Sequence, residues 1–144
     1  STAKERCGYY GEKLVLFAQQ LGLNTCWVGL TYKKNKKAIM VDRGEKVYLV
    51  IAIGYGINDG VKHKSKPIEE LYTAKGEVPE WFKAGMEAAA LAPTAVNQQK
   101  FHFTLQGNEV SVEAGKGFYV ETDLGIVKYH FEVGAGKENF VWKK

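Results

Sequence analysis

Apolar residues near the start of the chain recur at helical spacing. In GYYGEKLVLFAQQLGLN (8–24), Leu14, Phe17, Ala18 and Leu21 fall on one side of a helix, and Gly22 supplies a C-terminal stop. The pattern changes at KVYLVIAIGYG (46–56), a continuous β-branched and aromatic run that predicts a strand buried on both faces. Gly54, Gly56 and Gly60 then break it into a glycine-rich, basic loop ending at Pro67. VPEWFKAGMEAAALAP (78–93) predicts a second helix with Pro79 in its first turn and Trp81, Met86, Ala89 and Ala90 on its apolar side. In FHFTLQGNEVSVEA (101–114), Phe101, Phe103 and Leu105 alternate with His102 and Thr104, and a Gly-Asn turn leads to Val110 and Val112, which is a β-hairpin. TDLGIVKYHFEVGAG (122–136) predicts a third helix, capped by Thr122 or Asp123, packed through Leu124, Ile126, Val127, Phe131 and Val133, and ended by Gly134 or Gly136. Helices and strands mix without βαβ regularity, so the expected class is α+β.

At 144 residues the chain fits one domain with a real core. No apolar run approaches the roughly 20 residues that span a bilayer, and STAKERCGYYG lacks the apolar stretch of a signal peptide. The first residue is Ser, so the chain is read as processed or as starting inside a longer product. Cys7 and Cys26 do not make a disulfide framework, and two reduced thiols suit a cytoplasmic protein. His63, His102 and His130 are scattered without metal-ligand spacing.

The net charge of +4 is concentrated in YKKNKKA (32–38) and VKHKSKP (61–67). Apart from Tyr32, these runs carry no aromatics to stack on bases, so they read as solvated loops or as attractors of small anions, not as a nucleic-acid surface. GYGINDG (54–60) is not a dinucleotide fingerprint: its spacing is GxGxxxG, and no helix start follows.

Chemistry is expected where the second helix gives way to the hairpin, in LAPTAVNQQKFHF (91–103). Thr94 offers a hydroxyl, and Asn97 and Gln98 each offer an amide with two donors and an acceptor. Such groups suit a pyrimidine-like ring edge or a polyol. They equally suit capping of the helix end and the hairpin start. The small residues Ala84, Gly85, Ala88, Ala89 and Ala90 admit either a second backbone or a flat ligand. His102 falls on the polar face of its strand and His130 in mid-helix, neither placed as a base. Glu12 reads as a buried carboxylate whose partner is not visible. The chain has no nucleophile elbow, paired-carboxylate site, Walker loop or zinc cluster, which favours a cofactor that carries the chemistry itself.

ALAPTAVNQQKFHF resembles the A-P-S-A-x-N-x-Q-P-W-x-F signature of the FMN-dependent nitroreductase family. More narrowly, GYYGEKLVLFAQQLGLNTCWVGL, VIAIGYG and DLGIVKYHFE match, in order, a branch in which two related halves mimic the usual dimer. The resemblance implies a nitroreductase-like α+β fold with a central, mostly antiparallel sheet packed by helices. It implies one domain over 1–144, about the later two-thirds of the family pattern. It also implies non-covalent FMN, NADH or NADPH as donor, and a ping-pong cycle that ends on a nitroaromatic, quinone or similar small acceptor. Neither nucleic acid nor membrane is an expected partner. A monomer with pseudo-dimeric halves or a homodimer is expected.

Carried over by position, Pro93, Thr94, Ala95, Asn97 and Gln98 would line the flavin and its ribityl chain. Trp27, Val28 and Gly29 would lie along the ring, the amides of Val28 and Gly29 stabilising charge on N5 and O4 as in an oxyanion hole. Thr94 replaces the usual Ser and keeps the hydroxyl, whereas Gln99-Lys100 replaces Pro-Trp and loses an aromatic wall. The family's Arg-Arg-Ser-x-Arg segment, which holds the FMN phosphate, has no counterpart in these residues, so the pattern is incomplete at its N-terminal side. Either the sequence begins partway through the protein or this member has lost its phosphate clamp, for which Lys137 in GAGKEN or the basic loop at 62–66 is the candidate substitute. The alternative is a non-enzymatic flavin- or small-ligand-binding module of the same fold.

Overall fold

A computed structural model describes residues 1–33, 35 and 39–143; three lysines of the basic run at 32–38 (Lys34, Lys36 and Lys37) lie outside the described residues. The chain forms two compact units, Ser1–Leu14 with Val61–Lys144, and Val15–Gly60.

The first helix, α1 (Ala3–Gln20), ends as its sequence dictates. Gly22 takes φ +75°, its N–H reaches the Gln19 carbonyl at 3.0 Å, and the Leu23 N–H reaches back to Ala18 at 3.0 Å, a Schellman closure. Its expected apolar face is corrected. Leu14, Phe17 and Leu21 are exposed, and only Val15 and Ala18 of the apolar residues are buried. The side of α1 that packs in the first unit carries Glu5, Gly8, Tyr9 and Glu12, and small and polar residues leave no hydrophobic period to read.

In the second unit, β1 (Asn24–Val28) pairs antiparallel with β2 (Val50–Gly54), Asn24 opposite Gly54 and Val28 opposite Val50. The strand expected over 46–56 is thus shorter, and it is not buried on both faces: Val50 and Ile51 are half-buried, while Ala52, Ile53 and Gly54 are exposed. A two-stranded ribbon offers β2 a single neighbour, so its apolar run exceeds what pairing can cover.

The first unit holds a four-stranded sheet in the order β3 (Tyr72–Lys75), β4 (Phe101–Gln106), β5 (Glu109–Ala114) and β6 (Val141–Trp142). β4 and β5 form the expected hairpin, with Gln106 opposite Glu109 and Gly107 at φ +62° in a two-residue turn. The outer pairings, β3 with β4 and β5 with β6, are parallel, so this sheet is mixed, not mostly antiparallel. The cause is topological. α2 (Glu80–Ala89) connects β3 to β4, α3 (Val120–Ala135) connects β5 to β6, and a helical crossover returns the chain parallel to its start. Two βαβ units therefore stand where none was expected; β3 and β6 are too short to show a period in sequence.

The helices pack through small residues. A Cβ added at Gly85 would lie 2.6 Å from the Phe131 ring, and one at Gly134 would lie 2.5 Å from the Ala84 carbonyl, so α2 and α3 meet nearly backbone to backbone. Of the two uses open to the alanines and Gly85 of α2, helix packing is the one observed. Beneath them β4 alternates as read, with Phe101, Phe103 and Leu105 buried. Phe131 stacks on Phe103 at 4.7 Å and meets Phe82 and Phe140 edge-on at 5.5 and 5.1 Å. Val133, expected in this core, is exposed. Gly136 at φ +74° ends α3.

Candidate functional site

After α2 the chain passes Pro93 and enters a tight loop. Thr94 is extended (φ −133°, ψ 153°), a 3-10 turn covers Ala95–Asn97, and Val96 (φ 48°), Asn97 (φ 53°) and Gln99 (φ 46°) are all left-handed. Left-handed backbone is rare for non-glycine residues and unfavourable for a β-branched one, so three in four positions need strong external ties.

Those ties come from three directions. Within the loop, the Thr94 hydroxyl oxygen accepts the Gln99 N–H at 3.0 Å, and the Asn97 N–H reaches the Thr94 carbonyl at 2.9 Å. On one side runs a strap, residues 63–66. Its Lys64 carbonyl accepts from Asn97 Nδ2 and Gln99 Nε2, each at 3.0 Å. The Lys66 N–H donates to Gln99 Oε1 at 2.8 Å, Lys66 Nζ donates to the Gln99 carbonyl at 3.1 Å, and the Ser65 hydroxyl donates to the Ala90 carbonyl at 2.8 Å. On the other side, Asp123 of α3 accepts the Ala95 N–H on Oδ1 at 3.0 Å and Gln98 Nε2 on Oδ2 at 2.7 Å, while Gln98 Nε2 also donates to the Phe118 carbonyl at 2.8 Å. Burial is the main cause of a carboxyl held above its usual range at Asp123, and the two hydrogen bonds offset it in part.

The side-chain amides of Asn97 and Gln98 are therefore engaged by the protein itself. What remains for a ligand is the hydroxyl proton of Thr94, Gln98 Oε1, and the His63 imidazole. Both His63 ring nitrogens are buried without a hydrogen-bond partner, an arrangement met in no other side chain among the described residues. An unmet buried polar group costs about 1–3 kcal/mol, so such a group marks a place where a partner belongs. Lys62 and Lys64 on the same segment are exposed and enter none of the ion pairs among the described residues.

Of the other residues singled out in sequence, Trp27 and Val28 lie on β1 opposite Ile51 and Val50, with Gly29 just after, in the second unit. Lys137 lies just past α3, 3.2 Å from Glu132, beside a cavity of about 330 Å³ that Tyr9, Lys128 and Trp142 also line. There Glu132 accepts from Tyr9 and, at 2.7 Å, from Trp142 Nε1. Burial, with this carboxylate beside it, holds the Tyr9 phenol well above its usual range, so it stays a donor. His102 bonds Thr73 across the exposed face of the sheet at 2.8 Å. His130 is buried, its Nε2 2.7 Å from Glu12 Oε1 and its Nδ1 3.1 Å from the Ala88 carbonyl. Glu12, 1% exposed, is thus the buried carboxylate expected, and its partner lies 118 positions away, beyond any local pattern.

Neither Asp123 nor Thr122, the expected caps, caps α3. The helix instead begins after left-handed Tyr119, with no side-chain cap, and Asp123 turns to the 94–99 loop. The strap's backbone role has no sequence signal either, because carbonyl acceptors leave no trace in residue types.

The model of the family described as "Putative TM nitroreductase" matches residues 1–135, and the chain belongs to that family. A crystal structure of a putative nitroreductase from Thermotoga maritima superposes with a TM-score of 0.72 at 24% identity, covering 94% of this chain and 56% of that one. The chain thus spans little more than half the length of that structure. No curated protein sequence matches it. No helix among the described residues is long and apolar enough to cross a membrane, and no group of three or more His, Cys, Asp or Glu there is placed to hold a metal ion.

Proposed function

We propose that this chain is part or all of an FMN-dependent oxidoreductase that passes electrons from NADH or NADPH to a small nitroaromatic, quinone or similar acceptor. The observation that carries the reading is the strained, doubly clamped loop at 94–99 with an unpartnered His63 on the strap beside it. The groups left unengaged fit FMN: a hydroxyl donor at Thr94, a carbonyl acceptor at Gln98 and an imidazole suit a polyol and a ring edge, and the Lys62 and Lys64 ammonium groups suit a phosphate. Pro93 and Ala95 shape the backbone there. For Trp27, Val28 and Gly29, in the second unit, a flavin role rests on the family pattern alone.

Lys137 is less suited to the phosphate than the strap is, because it already pairs with Glu132. Bound FMN supplies hydride acceptance and onward electron transfer, so no side chain of this chain is needed as a general base. The protein's share is to hold the cofactor and orient it. A second reading, a flavin-binding module without turnover, is favoured by one observation: most of the loop's amide groups already serve the protein.

FMN titration followed by visible absorbance and flavin fluorescence tests the binding. We expect saturable quenching, weakened about tenfold by Asn97→Ala, which removes the anchor to Lys64, and unchanged by His102→Ala. A wild-type protein that leaves the spectrum of FMN unaltered sinks both flavin readings.

A further inference from the structure

We propose that Asp123 is a positioning residue for this site: its buried carboxylate holds the first half of the 94–99 loop in the shape that meets the ligand. The proposal rests on the flavin reading for the identity of the ligand, but the clamp itself stands on contacts in the first unit.

The ties on the loop divide unevenly. The strap's bonds fall on Asn97 and Gln99, the second half. The Ala95 N–H, in the first half, goes to Asp123 Oδ1, and the Gln98 side chain is held from the same carboxylate through Oδ2. Val96, the β-branched left-handed residue at φ 48° and ψ 30°, lies between these two attachment points. Without Asp123, strain at Val96 would be relieved by rotation of the 94–96 backbone, and the Thr94 hydroxyl would turn with it.

The residue type also argues for this role. Two donors converge on two separate oxygens, and among the described residues no cation pairs with Asp123. A buried carboxylate without an ion pair is costly, and an asparagine would avoid that cost. Asparagine, however, has one acceptor oxygen and would set its NH₂ against either Ala95 N–H or the Gln98 amide. Only a carboxylate accepts both. Its location follows from the left-handed Tyr119 that starts α3, after which the Asp123 N–H closes on the Tyr119 carbonyl at 2.9 Å.

The test combines amide hydrogen exchange with FMN titration on wild type, Asp123→Asn, Gln98→Ala and the double variant. In Asp123→Asn the Ala95 amide is expected to lose at least tenfold protection while Phe103 and Val110 in the sheet keep theirs, and FMN affinity is expected to fall at least tenfold. Because the damage arises from Asn facing Gln98, the double variant should bind FMN better than the product of the two single losses predicts. A role in stability alone would lower the melting temperature of the variants and leave the FMN affinity of the folded protein unchanged.

Unchanged protection at Ala95, or unchanged FMN affinity in a folded Asp123→Asn, overturns the proposal. If Asp123→Asn does not fold, Gln98→Ala removes one of the two contacts at a half-buried side chain, and undiminished FMN affinity there has the same force. If wild type binds no FMN, the flavin reading fails, and exchange at Ala95 alone decides the clamp.

Discussion

Gly125→Ala should lower the melting temperature by about 10 °C or abolish soluble expression. Gly125 lies in α3 where α1 crosses it, and a Cβ there would sit 1.9 Å from the Glu5 carbonyl oxygen and 2.6 Å from the Tyr9 nitrogen. Both are backbone atoms of a helix, so no side chain can rotate away. Gly8 makes the reciprocal approach, 2.0 Å from the Thr122 carbonyl. Relief requires the two helices to separate, which stretches the Glu12–His130 and Lys128–Glu5 contacts, at 2.7 and 2.6 Å, that depend on their spacing. Overpacking of this kind costs about 3 kcal/mol or more, equivalent to roughly 10 °C in a domain of this size. Gly115→Ala is the control, since its Cβ would come no closer than 3.3 Å to the Lys100 Cβ and 3.6 Å to the Lys100 carbonyl oxygen. Differential scanning calorimetry of the two variants decides the matter. Equal melting temperatures would mean that α1 and α3 are not in backbone contact.

Phe131→Ala is expected to cost about 3–5 kcal/mol, the range for emptying an aromatic site in a closed core. Phe131 is fully buried, and its ring touches four others: Phe82 from α2, Phe103 from β4, Phe140 and Trp142. It joins both crossover units to β6, so its loss removes packing from both layers at once. Urea unfolding followed by tryptophan fluorescence measures the change, and Phe131→Leu should recover more than half of it by refilling volume. A loss below about 1 kcal/mol would show that the aromatic cluster does not hold the sheet to its helices.

These two residues show what the sequence carries and what it hides. Phe131 was legible: it sits at helical spacing with Ile126 and Val127, and all three are buried. The β4–β5 hairpin was legible too, because alternation and a Gly-Asn turn are local signals. Gly125 was not, since a glycine in mid-helix looks the same whether it faces solvent or another backbone. The exposed side of α1 misled for the converse reason: Leu14, Phe17 and Leu21 have the period of a packed face, while the packed face carries Gly8 and Glu12. In the site, the polar richness of 94–99 was plain, but its direction was not. Asn97 and Gln98 turn to the carbonyls of Lys64 and Phe118 and to Asp123, groups 20 to 33 positions away that no spacing rule connects. The basic segment was visible as charge, and its use as a strap depends on backbone carbonyls.

The most direct test of the proposed function is anaerobic addition of NADH, and separately NADPH, to the protein with FMN bound, followed at the flavin's visible band. An oxidoreductase of this kind should bleach with at least one of the two donors and regain its colour when a quinone or nitroaromatic is added. Flavin that stays bound and fully oxidised with both donors would contradict the enzyme reading and leave a flavin-binding module in its place.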